Sequence, residues 1–144
     1  VTFAAASAYA EWIAAQTGRP WRLPRELEWE KAARGVDGRT YPWGNFIDPS
    51  WCCIYDGGAD PSPAPVDAFP LDASPYGVRG LGGNVRDWVV DERSPKRSAV
   101  APEHQLVRGG HYLGVAQFAR SALRYRSPTP ADDTIGFRLA CPLE

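Results

Sequence analysis

The chain has 144 residues and a formal net charge of −1, and no apolar run is long enough for a membrane span or the core of a leader peptide. Its 14 Gly and 14 Pro call for many turns and short elements, and the length suits one domain with a real core. Basic and acidic side chains number 8 and 13 in residues 1–92 but 8 and 4 in residues 93–144. The C-terminal arginines recur within ordered motifs, where planar five-donor heads brace loop carbonyls, and this argues against nucleic acid as a partner.

Thr2 to Thr17 reads as a helix, with Thr2 as N-cap and Gly18 just past its end. Phe3, Tyr9, Trp12 and Ile13 are its expected buried stripe. A second helix is predicted over Glu26 to Arg34, opened by Pro24 and closed by Gly35, with Leu27 and Trp29 to Ala33 on its buried side. Turns follow at Asp37-Gly38, Trp43-Gly44 and Asp56-Gly57-Gly58, then a proline-rich run from Asp60 to Pro70. Val85 to Val90, Leu106 to Arg108 and Thr134 to Ala140 are the expected strands. The rest of Leu106 to Leu139 follows neither a helical nor a strand period and reads as a pinned loop, the kind of segment that carries binding. Cys52, Cys53 and Cys141 are too few for a disulfide framework, and three buried thiols are expected, with a bridge from Cys141 to one of the other two as the alternative. His104 and His111, the only imidazoles, lack metal-ligand spacing.

Several motifs stand in fixed order: Arg22-Leu23-Pro24 running to Arg34-Gly35, Tyr41-Pro42-Trp43-Gly44, Pro65-Val66-Asp67, Gly83-Asn84-Val85-Arg86-Asp87-Trp88, Arg108-Gly109-Gly110, Arg120-Ser121-Ala122 with Arg124, and Gly136-Phe137-Arg138. Together they resemble the formylglycine-generating enzyme (sulfatase-modifying factor) family, whose usual wording is RLPTEAEWEKAARG, YPWG, GNVxEW, RGGSW, RSAxR and GFR. The resemblance implies an α+β, C-type-lectin-like fold, loop-rich, with two helices and short antiparallel strands. It also implies that the family's N-terminal strand, which pairs beside the GFR strand, is missing here. Residues 1–144 are then one domain, the C-terminal portion of something longer, and a preceding segment or another chain is expected to complete the fold.

Members of that family that oxidise a substrate cysteine use a copper-binding cysteine pair between the GG and RSAxR motifs, because Cu(I) prefers soft thiolates. This chain has no thiol from His111 to Ala119, so copper and the oxidase activity are not expected. The resemblance further implies calcium, a hard cation held by oxygens. Its ligands would be Asp67 and the Phe69 carbonyl at one place, and Asn84, the Val85 carbonyl and Asp87 at another.

Within the same fold, variable proteins of diversity-generating retroelements are similar in frame and differ in loop contents. Their binding residues come from adenine-rich codons that never yield Lys, Glu, Gln, Met or Trp. From Arg108 to Leu143 only Gln117 belongs to that forbidden set, and all six Trp lie at or before Trp88. The reading is therefore a non-enzymatic module that binds a ligand, protein in nature, through His111, Tyr112, Leu113, Gly114, Val115, Phe118, Leu123 and Tyr125. These side chains are expected on one exposed face, with Arg108, Arg120, Arg124 and Arg138 turned inward. The alternatives are a family enzyme with altered chemistry and a sensory domain fused to a kinase.

Overall fold

The computed structural model of the protein describes residues 1–58, 60–93 and 105–142, so His104 lies outside the described residues. Two helices, α1 (Phe3–Thr17) and α2 (Glu26–Arg34), pack against a sheet of four short strands, β1 (Arg86–Trp88), β2 (Leu106–Arg108), β3 (Arg124–Arg126) and β4 (Ile135–Gly136). The strand order is β3-β2-β1-β4. β1 with β2 and β2 with β3 are antiparallel, as expected, whereas β1 and β4 run parallel, so the sheet is mixed. No described helix is long and apolar enough to cross a membrane.

Register divides the side chains between two faces, because partners directly opposite on neighbouring strands project to the same side. Trp88 pairs with Val107 and Val107 with Tyr125. Their face carries a cluster of Ala6, Leu23, Trp88, Val107 and Ile135, flanked by Phe3, Phe137 and Leu139. Helix α1 meets it through Ala6 and Ala10, its only buried residues, while Tyr9 and Trp12 stay 46% and 54% exposed. The expected stripe is thus met only in part: Phe3 and Ile13 are half-buried, whereas the two alanines take the positions closest to the sheet and Tyr9 and Trp12 are left outside. Thr2 caps the helix, accepting the Ala5 N–H at 3.1 Å, and Gly18 ends it at φ 66°.

The opposite face carries Asp87, Arg108 and Arg124 in register, and it receives α2. Trp29 and Ala33 pack there with Leu81, Val89 and Leu106, but the third buried residue of α2 is Glu26, and Leu27 is 48% exposed. A hydrophobic pattern cannot reveal this substitution, because Glu26 is buried by charge pairing. Its carboxylate meets Arg124, whose Nη2 donates to Oε2 at 2.9 Å, with Arg108 Nη1 at 3.7 Å and Arg93 Nε at 3.6 Å. Arg108 also donates to Glu30 at 2.7 Å and lies over the Trp29 ring, 5.2 Å from its centroid. The Glu28 carboxylate closes the start of α2 on the Arg25 N–H at 2.9 Å.

The C-terminal strand has a neighbour within the chain. Ile135 and Gly136 pair with Arg86 and Asp87, and a separate antiparallel bridge joins Arg22 to Ala140. Among the described residues, none from 1 to 20 pairs with it. Strand β3, in a stretch read as loop, forms because β2 offers an unpaired edge beside it. Removing one member of the buried charge set leaves the others without a counter-charge, so Glu26→Ala and Arg108→Ala each cost about 3–5 kcal/mol in denaturant unfolding. The double variant Glu26→Leu with Arg108→Met is expected to cost about 1–3 kcal/mol less than the sum of its singles. Additive losses would mean that the two residues are not coupled.

Candidate functional site

Residues 109–123 leave β2, cross the end of the sheet and return into β3, pinned at nearly every step. Gly109 has φ 90° and a Cβ on Gly110 would lie 2.2 Å from the Gly82 carbonyl oxygen, so only glycine admits this close approach. Arg108 reaches forward from β2 to donate to the Ser121 and Ala122 carbonyls at 3.0 and 3.2 Å. Ser121 N–H donates to the Thr40 carbonyl at 2.8 Å, and Tyr112 N–H to the Asn84 carbonyl at 2.9 Å. Tyr55 N–H donates to the Gly114 carbonyl at 2.9 Å, and Ala116 N–H to Asp56 Oδ2 at 2.8 Å. Irregular backbone is therefore fixed by partners from four other segments.

The eight expected ligand residues do not share one exposed face. His111, Tyr112 and Gly114 are buried, Val115 and Leu123 are half-buried, and Leu113, Phe118 and Tyr125 are exposed. His111 and Tyr112 follow the tight Gly109-Gly110 approach and are carried under the loop with it. Leu123 turns away into a separate cavity of about 280 Å³ with Arg34, Arg39 and Arg120. Arg108 is buried and Arg124 and Arg138 are ion-paired, but Arg120 is exposed rather than turned inward.

One chain of contacts joins the buried and exposed members. Arg86 Nη2 lies 2.5 Å from His111 Nε2. A guanidinium only donates, so Nε2 accepts and the imidazole carries its proton on Nδ1. That Nδ1 is buried and has no hydrogen-bond partner among the described residues. Burial, and then the Arg86 charge, pull the His111 pKa down to about 4. The ring stacks against Phe118, with centroids 6.0 Å apart, and the Arg86 guanidinium lies over Tyr125, 4.6 Å from its centroid. Arg86, at the variable position of the GNVxDW motif, was not anticipated as part of this surface, because a single arginine between Val85 and Asp87 carries no sequence signal.

The five expected calcium ligands, Asp67, Phe69, Asn84, Val85 and Asp87, do come together around one cavity of about 490 Å³, with Asp72, Arg79 and Arg138. Their oxygens are largely engaged. Asp87 Oδ2 accepts from Trp29 Nε1 at 2.8 Å and Arg138 Nε at 2.5 Å. Asn84, at φ 72°, uses its side-chain amide on the Ala64 backbone, accepting at 2.9 Å and donating at 3.0 Å. The Phe69 carbonyl accepts the Asp72 N–H at 3.2 Å, and Asp67 is exposed. Burial pushes the Asp72 pKa up to about 6, although the Gly82 N–H donates to both of its oxygens. Among the described residues, no three His, Cys, Asp or Glu side chains gather in a group able to hold a metal. All three cysteines are unbridged; Cys52 and Cys53 are buried, and Cys141 is half-buried rather than buried. Burial raises the Cys52 and Cys53 thiol pKa values.

Residues 1–143 match the sulfatase-modifying factor enzyme 1-like domain. The inactive C-alpha-formylglycine-generating enzyme 2 of Mus musculus is 33% identical over 150 residues, covering 94% of this chain and 46% of that protein. The formylglycine-generating enzyme of Streptomyces coelicolor is 33% identical, covering 94% and 49%. The serine/threonine-protein kinase pkn1 of Chlamydia caviae is 35% identical, covering 97% and 23%. The chain thus spans half the length, or less, of these curated relatives. Among solved structures, PvdO from Pseudomonas aeruginosa superposes with a TM-score of 0.81 at 27% identity, over 99% of this chain and 60% of that one. Treponema denticola variable protein 1 gives a TM-score of 0.63 at 22% identity, over 85% and 48%, a likeness of fold alone. Read with the ordered motifs and the α+β architecture, these matches make the chain a member of the formylglycine-generating-enzyme (sulfatase-modifying factor) family.

Proposed function

We propose that this domain is a binding module without the family's oxidase chemistry, and that it contacts its ligand, a protein, through the pinned loop after β2. The observation that carries the reading is the content of residues 111–119, which hold no thiol where the oxidases of the family place their copper-binding pair. Cys52 and Cys53 offer no substitute, since both are buried with raised thiol pKa values and a thiolate is what copper needs. A family relative named as inactive, and a fold likeness to a variable protein, support the same reading.

The contact surface is Leu113, Val115, Phe118 and Tyr125, with Leu123 at a neighbouring groove. His111, Tyr112 and Gly114 lie beneath it and hold its shape. Exposed apolar side chains on a rigid frame are costly to leave in water and mark interaction sites. Retroelement diversification of these positions is the finer form of this proposal; a nearby repeat of the coding DNA, with adenines at these codons, is its test. For the acidic cavity we propose bracing in place of calcium binding, because Arg138 already supplies the cation beside Asp87.

Four outcomes follow. The purified protein is expected neither to bind Cu(I) stoichiometrically nor to convert a sulfatase-type cysteine peptide to its aldehyde; measured turnover would sink the non-enzyme reading. A chelator is expected to leave the melting temperature unchanged, whereas a fall that calcium restores would return Asp67, Asn84 and Asp87 to a metal site. Replacing Leu113 and Tyr125 together by Ser is expected to cost at most about 1.5 kcal/mol, against about 3 kcal/mol or more for Tyr112→Ala. Equal losses would show that the exposed residues are core.

The fourth concerns pH. His111, held near 4 against an ordinary 6.5, contributes stability that is full above 6.5 and lost as pH falls to about 4. Asp72, raised to about 6 from 3.8, does the reverse, so acidification through that window favours the fold. The two effects oppose each other between about pH 4 and 6. In His111→Gln only the Asp72 effect remains, so its stability relative to the parent should rise by about 1.4 kcal/mol per pH unit on acidification from 6 to 4. Parallel urea-midpoint profiles for parent and variant would contradict this.

A further inference from the structure

The loop surface continues onto a second segment, which opens on the Tyr41-Pro42-Trp43-Gly44 motif and runs beyond it to Tyr55. Tyr41, Trp43, Trp51 and Phe46 form a ladder of rings: Tyr41 stacks on Trp43 at 5.5 Å, Trp43 meets Trp51 edge-on at 6.2 Å, and Trp51 meets Phe46 at 6.4 Å. Its inner end is anchored in a core cluster with Cys52, Ile54 and Ala119, against which Ala116 packs. Its outer end is open, with Phe46 69% exposed. The short helical turn that follows Trp51, Tyr55–Gly57, ties the segment to the loop: Tyr55, 61% exposed, and Asp56 bond the backbone of Gly114 and Ala116, within two residues of Leu113 and Phe118.

Charge on this segment has one sign. Between Arg39 and Arg79 the sequence has no Lys, Arg or His and carries Asp48, Asp56, Asp60, Asp67 and Asp72. Asp48 and Asp56 sit within the ladder's own turns, Asp48 fixed by the Ser50 N–H at 3.0 Å and Asp56 by Ala116 N–H. Arg39 is occupied by Asp37 and the Pro42 carbonyl, and Arg120 lines the separate groove with Arg34. Exposed rings with negative faces beside carboxylates suit a positively charged guest, and Arg86, which reaches this face beneath Phe118, is already engaged by His111 and the Tyr125 ring. An acidic or phosphorylated guest would meet only repulsion.

We infer that the binding face spans Phe46, Trp51, Tyr55, Leu113 and Phe118, and that its occupant is a basic segment of a partner protein whose arginine side chains lie over these rings beside Asp48 and Asp56. This inference rests on the binding-module reading and adds both a second segment and a chemistry to it.

The probe is an acetylated, amidated Arg-Gly octapeptide, titrated into the full chain while tryptophan fluorescence is read, with Gln-Gly and Glu-Gly peptides as controls. Saturable quenching by the arginine peptide is expected, weakening at high salt, with at least tenfold poorer binding of the other two. Phe46→Ser with Tyr55→Ser should weaken the arginine peptide about tenfold at an unchanged melting temperature. Should that pair perturb folding, Asp48→Asn, which keeps an oxygen for Ser50, should still weaken it two- to threefold. No saturable signal, equal binding of the Gln-Gly peptide, or indifference to all these substitutions overturns the inference. Those failures leave the binding-module reading standing, whereas aldehyde formation from a cysteine peptide removes that reading whatever the arginine peptide does.

Discussion

The structure depends on a carboxylate that has no business in a core unless it is paired. Glu26 lies fully buried on α2 against Arg108 and Arg124 of adjacent strands, with Glu30 and Arg93 completing the set. An isolated buried charge is strongly unfavourable, so the position of α2 over the sheet is dictated by the need to bring these groups together. Arg108 then does two things at once. Its Nη2 donates both to Glu30 and to the Ser121 carbonyl, and its Nη1 to the Ala122 carbonyl, so the same contact that docks the helix also closes the loop after β2. Burial lowers the Arg108 pKa, but the guanidinium stays charged because its ordinary pKa is so high.

The other face of the sheet follows different physics. There the helix approaches through alanines, and apolar burial with ring contacts such as Phe3 on Trp88, 6.0 Å apart, carries the packing. Non-directional attraction tolerates sliding; directional charge pairing does not. Tying the loop to Arg108 therefore fixes it more tightly than an apolar contact would. This is how 15 residues with one 3-10 turn and little other regular structure hold a defined surface.

That surface has a buried layer and an exposed one. His111 links them: it accepts from Arg86, stacks on Phe118 and keeps inside an Nδ1–H with no partner among the described residues. The exposed residues above this layer, Leu113, Phe118 and Tyr125, stand apart from the Glu26–Arg108–Arg124 charge set that docks the helix.

Much of this was legible in the sequence. The ordered motifs fixed the family and the α+β class, Thr2 and Gly18 bounded α1, and Pro24 and Gly35 bounded α2, because caps and family spacing are local signals. The absence of thiols in residues 111–119 was legible for the same reason. What the sequence left open were matters of partnership. Whether Tyr9 and Trp12 or Ala6 and Ala10 face the sheet depends on how closely a helix approaches, which periodicity does not encode. That Glu26 is buried, that β3 forms, and that β4 pairs in parallel with β1 are set by strands distant in the chain. Of the expected contact residues, Leu113, Phe118 and Tyr125 stay exposed while His111 and Tyr112 go under, because Gly110 must meet Gly82 face to face. Only the tertiary structure supplies Gly82, and so only it could decide which side of the loop meets water.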